Sequence, residues 1–294
     1  MKTIEAEVQS TAIEPVSGQA LTRVELDTQI ATAKNFPRDE ERSFNKAMKL
    51  VRVVGTQDDA GLFYNIPRGK GIVGPSVRLA EIIQHCWGNS RAGARPINVG
   101  ATHVTAQGVF HDLETNTQVM FETERKILDK DGHRYNDDMI GVTTNAAVAI
   151  AYRNAVLKGI PKVFWSPLYD EARKLAGGKT KKETEAKKIN LVEILRGSGI
   201  TPKMITAKFG VKDLKQLTSD QVADLAGIAT AIKDGEITAA RAFGVAEKQE
   251  SAVKSKSVNA NDHLTLDQQQ DAMTLIQDRG YKTSDLPAAL KSIG

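Results

Sequence analysis

Residues 62–87 read LFYNIPRGKGIVGPSVRLAEIIQHCW, and the reading of the whole chain turns on them. The stretch passes from an apolar, strand-like segment (Leu62 to Ile66) through a glycine-rich basic turn into an amphipathic helix. Val77, Ala80, Ile83 and Trp87 recur at helical spacing and predict one apolar helix face. Pro75 suits the first helical turn, where its missing N–H would have no partner anyway. Arg68, Lys70 and Arg78 surround the turn with positive charge. A glycine-rich loop entering a helix offers free backbone N–H groups to an anion. The same glycines also serve a turn that needs positive φ. Both readings stay open at this point.

Gly69, Gly71 and Gly74 spell G-x-G-x-x-G, the dinucleotide fingerprint. Its context is wrong. In a true fingerprint the third glycine lies in the helix, and here Pro75 follows at once. The next strands look antiparallel, and no acidic residue stands where a ribose would be held. A phosphate loop is excluded too, since G-K-[ST] is absent.

At 294 residues the chain is long enough for one large domain, or a main domain with a smaller one. Its net charge of +4 is modest, so the placement of cations matters more than their sum. The single cysteine, Cys86, falls on the helix above and is expected in the core; no disulfide within the chain follows from it, which fits a reducing cytosol. No signal pattern and no membrane-length apolar run are visible, so a cytoplasmic protein without membrane contact is expected.

The other elements follow in order. Residues 1–20 read as a polar arm. Helices are expected over 21–34 and 38–53, the second burying Phe44, Met48 and Val51. Arg91 to Arg95 reads as a basic loop. Strands are expected at 96–104, 108–113 and 117–128, with Glu114-Thr115-Asn116 as a hairpin tip. The loop DKDGHRYNDD at 129–138 lacks the spaced oxygens of a calcium loop and reads as a turn. A long alanine-rich helix over 138–158 ends at Gly159-Ile160-Pro161, and another helix covers 163–175. The resulting fold class is α+β: an antiparallel three- to four-stranded meander packed on a long helix. The core spans 21–176. GGKTKKETEAKK at 177–188 reads as a linker to a helical module at 189–246. In that module Val222, Leu225, Ile228 and Ile232 form a helix stripe stopped by Gly235. A second linker at 247–262 leads to a helical piece at 263–294.

No catalytic motif emerges: no G-x-S-x-G, no H-E-x-x-H, no Cys/His pairing. His103 and His111 read as structural strand residues. No cofactor and no metal are expected, and the chain reads as a binding protein rather than an enzyme. What remains is a cationic decoration between 34 and 162 that includes Arg38, Arg91 and Arg95. The candidate binding residues within it are Arg68, Lys70, Arg78, Arg125, Lys126, Arg153, Lys158 and Lys162. Such residues can line a groove that tracks a phosphate backbone. Tyr64, Phe110, Tyr152 and Trp165 are the aromatic candidates for base stacking, each with an equal claim to the core. Arg153 interrupts an apolar helix, so it needs an anion, solvent or an ion pair. Glu81 and Glu122 are the candidate partners.

The order helix, meander, alanine-rich helix resembles the core of the phage single-strand annealing proteins, the RecT/Redβ, Erf and Rad52-like superfamily. Leu62–Arg68, GPSVRLAE at 74–81 and NAAVAIAYRNAVLKGIP at 145–161 carry the resemblance. The stretch from Leu191 to Glu236, ending in TAIKDGEIT, is similar to small C-terminal modules of phage recombination proteins. The resemblance spans about residues 60–245. It implies ATP-independent binding of single-stranded DNA and annealing of complementary strands during phage recombination. It further implies ring or helical homo-oligomers, with a phage exonuclease and the host single-strand binding protein as partners. Two other readings stand beside it: an enzyme holding a nucleotide or phosphorylated ligand on the Gly69–Gly74 loop, and a viral structural or assembly protein.

Overall fold

Side-chain caps mark where several helices of this chain begin. The structure is a computed structural model and describes residues 18–57, 60–69, 71–129 and 131–244. Most of the arm expected over 1–20, Lys70, and the segments expected at 247–262 and 263–294 lie outside the described residues. Helix α1 spans Gly18–Asn35 and α2 spans Glu40–Gly55. Asp39 caps α2 by accepting the Arg42 N–H. Val51 of its expected stripe is fully buried, while Phe44 and Met48 are half-buried against the core.

The stretch 62–87 folds differently from its expected form. Phe63–Ile66 (β1) pairs antiparallel with Ile72–Pro75 (β2), in the register Phe63 to Pro75 and Ile66 to Ile72. The glycine turn therefore closes a hairpin rather than opening a helix. Gly69 and Gly71 adopt positive φ of 61° and 86°, which serves that reversal. Pro75 ends β2, and Ser76 caps helix α3 (Val77–Trp87) by accepting the Leu79 N–H. Leu79, Ala80, Ile83, Cys86 and Trp87 form its buried face.

A three-stranded antiparallel sheet follows, in the order β3 (Ser90–Val99), β4 (His103–Asp112), β5 (Thr117–Lys126). The basic segment 91–95, expected as a loop, lies inside β3 and pairs with β4 from Arg91–His111 to Arg95–Gln107. The expected hairpin tip stands between β4 and β5, with Asn116 at φ 55°. Helix α4 (Asp137–Gly159) begins at the Asn136 cap and packs along all three strands. The approach is close because β4 carries Gly108: a Cβ there would lie 2.1 Å from the Ala151 carbonyl oxygen. Val104 and Ala106 meet Ala147 and Ala151 in this layer. Another part of α4 packs on α3. A helix buried on several sides is apolar nearly all round, as the run of alanines shows.

Helix α5 (Lys162–Gly177) brings Phe164, Leu168 and Leu175 to the main core beneath α2 and α3. The segment 177–188 is not an extended linker. A bend at 178–180 leads into α6 (Lys181–Gly197), capped by Thr180. Then come α7 (Pro202–Phe209), a 3-10 turn at Leu214–Gln216, α8 (Ser219–Lys233) and α9 (Ala239–Phe243). These helices share a small core of Leu191, Leu195, Ile205, Val222 and Leu225. Yet α8 serves both bodies. Ala223 belongs to the main core, and four residues on Gly227 lies against Phe63 and Asn65 of β1. The described residues thus fall in one packed unit, without the break that composition placed at 177–188. No described helix is long and apolar enough to cross a membrane.

Candidate nucleic-acid interface

Three of the candidate cations do converge. Arg78 comes from the first turn of α3, Arg125 from the end of β5 and Arg153 from the middle of α4. They meet the turn Asp234-Gly235-Glu236 that ends α8. Arg78 binds the Asp234 carboxylate through both terminal nitrogens, at 3.0 and 2.9 Å. Arg125 donates to the Gly235 carbonyl at 2.6 Å. Arg153 donates to Glu236, and both side chains are 6% exposed. Its guanidinium also lies over the Tyr64 ring, and its Nε is buried with no hydrogen-bond partner. Arg153 is therefore in an ion pair rather than on an open groove, and its partner is Glu236, not Glu81 or Glu122.

The turn is held by local chemistry as well. The Glu236 N–H reaches Ala231 O and the Gly235 N–H reaches Ile232 O, the crossed pair of a glycine helix stop, with Gly235 at φ 69°. Asp234 and Glu236 were not singled out from sequence, although one signal marks them. The C-terminal end of a helix carries partial negative charge, so carboxylates there are unfavourable unless cations answer them.

The remaining candidates lie elsewhere. Lys158, exposed near the end of α4, sits with Nζ 5.3 Å from the centre of the Phe121 ring on β5. Phe121 and Arg125 are four residues apart on one strand and so share a face. A seam between α4 and β5 thus runs from Lys158 and Phe121 toward Arg125. Lys162 is exposed at the start of α5, just past Lys158. Lys126 is exposed on the opposite face of β5 from Arg125. Arg68 is exposed at the turn of the β1–β2 hairpin, and Lys70 lies outside the described residues. Arg68 and Arg153 therefore do not face one common groove: the first is at a solvent-exposed tip and the second is buried.

Among the stacking candidates, Phe110 is fully buried. Tyr64 is covered by Arg153, and burial raises its pKa while Arg153 partly offsets the rise. Tyr152 is half-buried near Glu81, and desolvation followed by that carboxylate pushes its pKa up to about 12. Trp165 is half-buried. Phe121, which is not among the stacking candidates, is half-buried against the main core, with exposed Lys158 over its ring.

Arg38 is also structural. It donates to Asp112 at 2.6 Å and to Glu114 at 2.8 Å, and stacks on Trp87 at 4.2 Å. Trp87 Nε1 donates to the other Asp112 oxygen at 3.0 Å, and Asn89 joins through Glu114. Burial pushes the Glu114 carboxyl up, but the hydrogen bonds from Asn89 and Arg38 outweigh it and hold the pKa below its usual value. Of the strand histidines, His111 is buried and bonded to Asn116 at 2.9 Å. Asp129, Asp131 and His133 come together in the 129–138 loop. The Asp129 carboxylate there accepts the backbone N–H groups of His133 and Asp131, which stabilises a turn.

Fold and site define an α+β protein in which a meander and its covering helix present one closed and several open cationic positions. No protein-family model, curated protein or solved structure matches the chain.

Proposed function

We propose that the chain binds single-stranded DNA by its phosphates and anneals complementary strands without ATP, as a homo-oligomeric recombination protein of phage type. The supporting observation is the seam between α4 and β5, where exposed Lys158 lies over Phe121, with exposed Lys162 four residues on at the start of α5. Cations beside an aromatic platform hold a strand by its backbone and tolerate any base sequence. Annealing in this reading needs such a track, surfaces for self-assembly and a second strand, and no nucleotide. In this reading the protein acts in the cytoplasm of a bacterial host. The helical module at 189–246 meets an exonuclease or the host single-strand binding protein, and rings or helical filaments present the track.

In the alternative reading of Gly69–Gly74 as a phosphate loop, the glycines do not lead directly into a helix, since Gly69 and Gly71 close a hairpin and Gly74 lies in β2. The test is direct. A labelled oligonucleotide is mixed with the protein, its complement is added, and duplex formation is followed without nucleotide. Acceleration is expected, with affinity falling steeply as salt rises. Lys158→Ala is expected to weaken binding and flatten the salt slope by about one unit. Binding that ignores salt, or no acceleration of annealing, would overturn the proposal.

A further inference from the structure

Three arginines from three elements face two carboxylates and one carbonyl of a single turn. We infer that this turn, Asp234-Gly235-Glu236, is a displaceable stand-in for DNA phosphate: it fills the Arg78–Arg125–Arg153 cluster in the free chain and yields it to a bound strand. The inference rests on the DNA-binding reading above and adds its regulation.

Four observations carry it. The carboxylates sit at the C-terminal end of α8, where the helix dipole opposes them, and the Arg78 and Arg153 guanidinium groups answer their charge. The cluster is not satisfied by the turn, because Arg153 Nε is buried without a hydrogen-bond partner. Solvent reaches the outer pair: the Arg78 side chain is 34% exposed against 14% for Asp234. Finally, the seam of Lys158 and Phe121 leads to the cluster, since Arg125 shares the Phe121 face of β5. A strand lying on the seam would meet Arg125 next. Helix α8 need not leave for this. Its grip on the core is apolar and lies upstream, at Ala223 and Gly227. The turn beyond it keeps its own backbone bonds to Ala231 and Ile232, but its carboxylates are held by charge, and charge is what a phosphodiester supplies.

A reversible lock tests the idea in the full chain. A Cβ at Gly235 would lie 3.9 Å from the Ala146 Cβ, inside the roughly 3.5–4.5 Å that a disulfide spans. Ala146→Cys with Gly235→Cys is oxidised with diamide, and binding of a labelled oligothymidylate is compared before and after reduction. The reduced chain carries the same backbone strain at Gly235, so it is its own control. The oxidised form is expected to bind about tenfold more weakly, because a tethered competitor acts at high effective concentration. Asp234→Asn, which removes a competing charge without a bridge, is expected to bind more tightly than the parent. Equal affinity in the oxidised and reduced forms, or an Asp234→Asn chain that binds no tighter, overturns the inference and leaves the DNA reading standing. Failure of parent and reduced chain alike to bind DNA removes both.

Discussion

The guanidinium of Arg153 lies 4.3 Å from the centre of the Tyr64 ring while its Nη1 donates to Glu236. One side chain thus ties the long helix to the β1–β2 hairpin and to the end of α8. Arg153→Ala leaves Glu236 buried without its cation, a loss on the order of 3–5 kcal/mol. Thermal melting followed by circular dichroism is expected to drop accordingly. Arg153→Met combined with Glu236→Gln is expected to recover part of it, because an apolar side chain can replace a buried ion. An unchanged melting temperature for Arg153→Ala would show that the pair does not hold the fold.

Truncation after Lys182 is expected to abolish cooperative unfolding. Composition alone makes that position look like a domain boundary, and a folded 1–182 core would follow from it. The structure reverses the expectation, since the cut removes Ala223 from the main core and Gly227 from its seat on Phe63. Urea unfolding of the truncated chain decides the matter: a steep single transition at the parent midpoint would refute the shared role of α8.

Gly108→Ala is expected to destabilise by about 2–3 kcal/mol, toward the upper end of overpacking costs. Its Cβ would meet backbone atoms of Ala151 and Tyr152, which cannot rotate away. Gly93→Ala on neighbouring β3 meets nothing within 4 Å and is expected to stay within about 0.5 kcal/mol of the parent. Denaturant midpoints of the two variants give the comparison.

Tyr152 makes stability sensitive to alkali. Its folded pKa is pushed up to about 12, above the ordinary value of 10.0. Below the ordinary value both folded and unfolded chains keep the proton, and stability does not change with pH. Above it the unfolded chain loses the proton first, so stability falls as pH rises toward 12. Tyr152→Phe is expected to remove that part of the fall. Tyrosinate absorbance of the folded protein checks it, and a Tyr152 midpoint near the ordinary value would contradict the burial.

Much of this architecture is legible in local sequence. The α4 helix, its stop at Gly159–Pro161, the hairpin tip at 114–116 and the Gly235 helix end all rest on periodicity or turn chemistry within a few residues. Strand β2 is not legible in this way. Ile72-Val73-Gly74-Pro75 contains two poor strand formers and half-exposes its apolar pair, so its strand character comes from pairing with β1. In KKETEAKK low hydrophobicity reports exposure, not conformation. Its lysines, glutamates and alanine favour helix, and Thr180 starts one. The site is the least legible part. Arg78, Arg125 and Arg153 find their partners 156, 110 and 83 residues away, beyond any local pattern.

Those separations all run in one direction. A ribosome delivers the arginines first and the answering turn 83 residues after Arg153. Until α8 emerges, the nascent meander and its covering helix hold a guanidinium cluster with no counter-charge from the turn. An uncompensated cation in a closing core opposes burial. Packing around Arg153 is therefore expected to complete only once Glu236 has emerged.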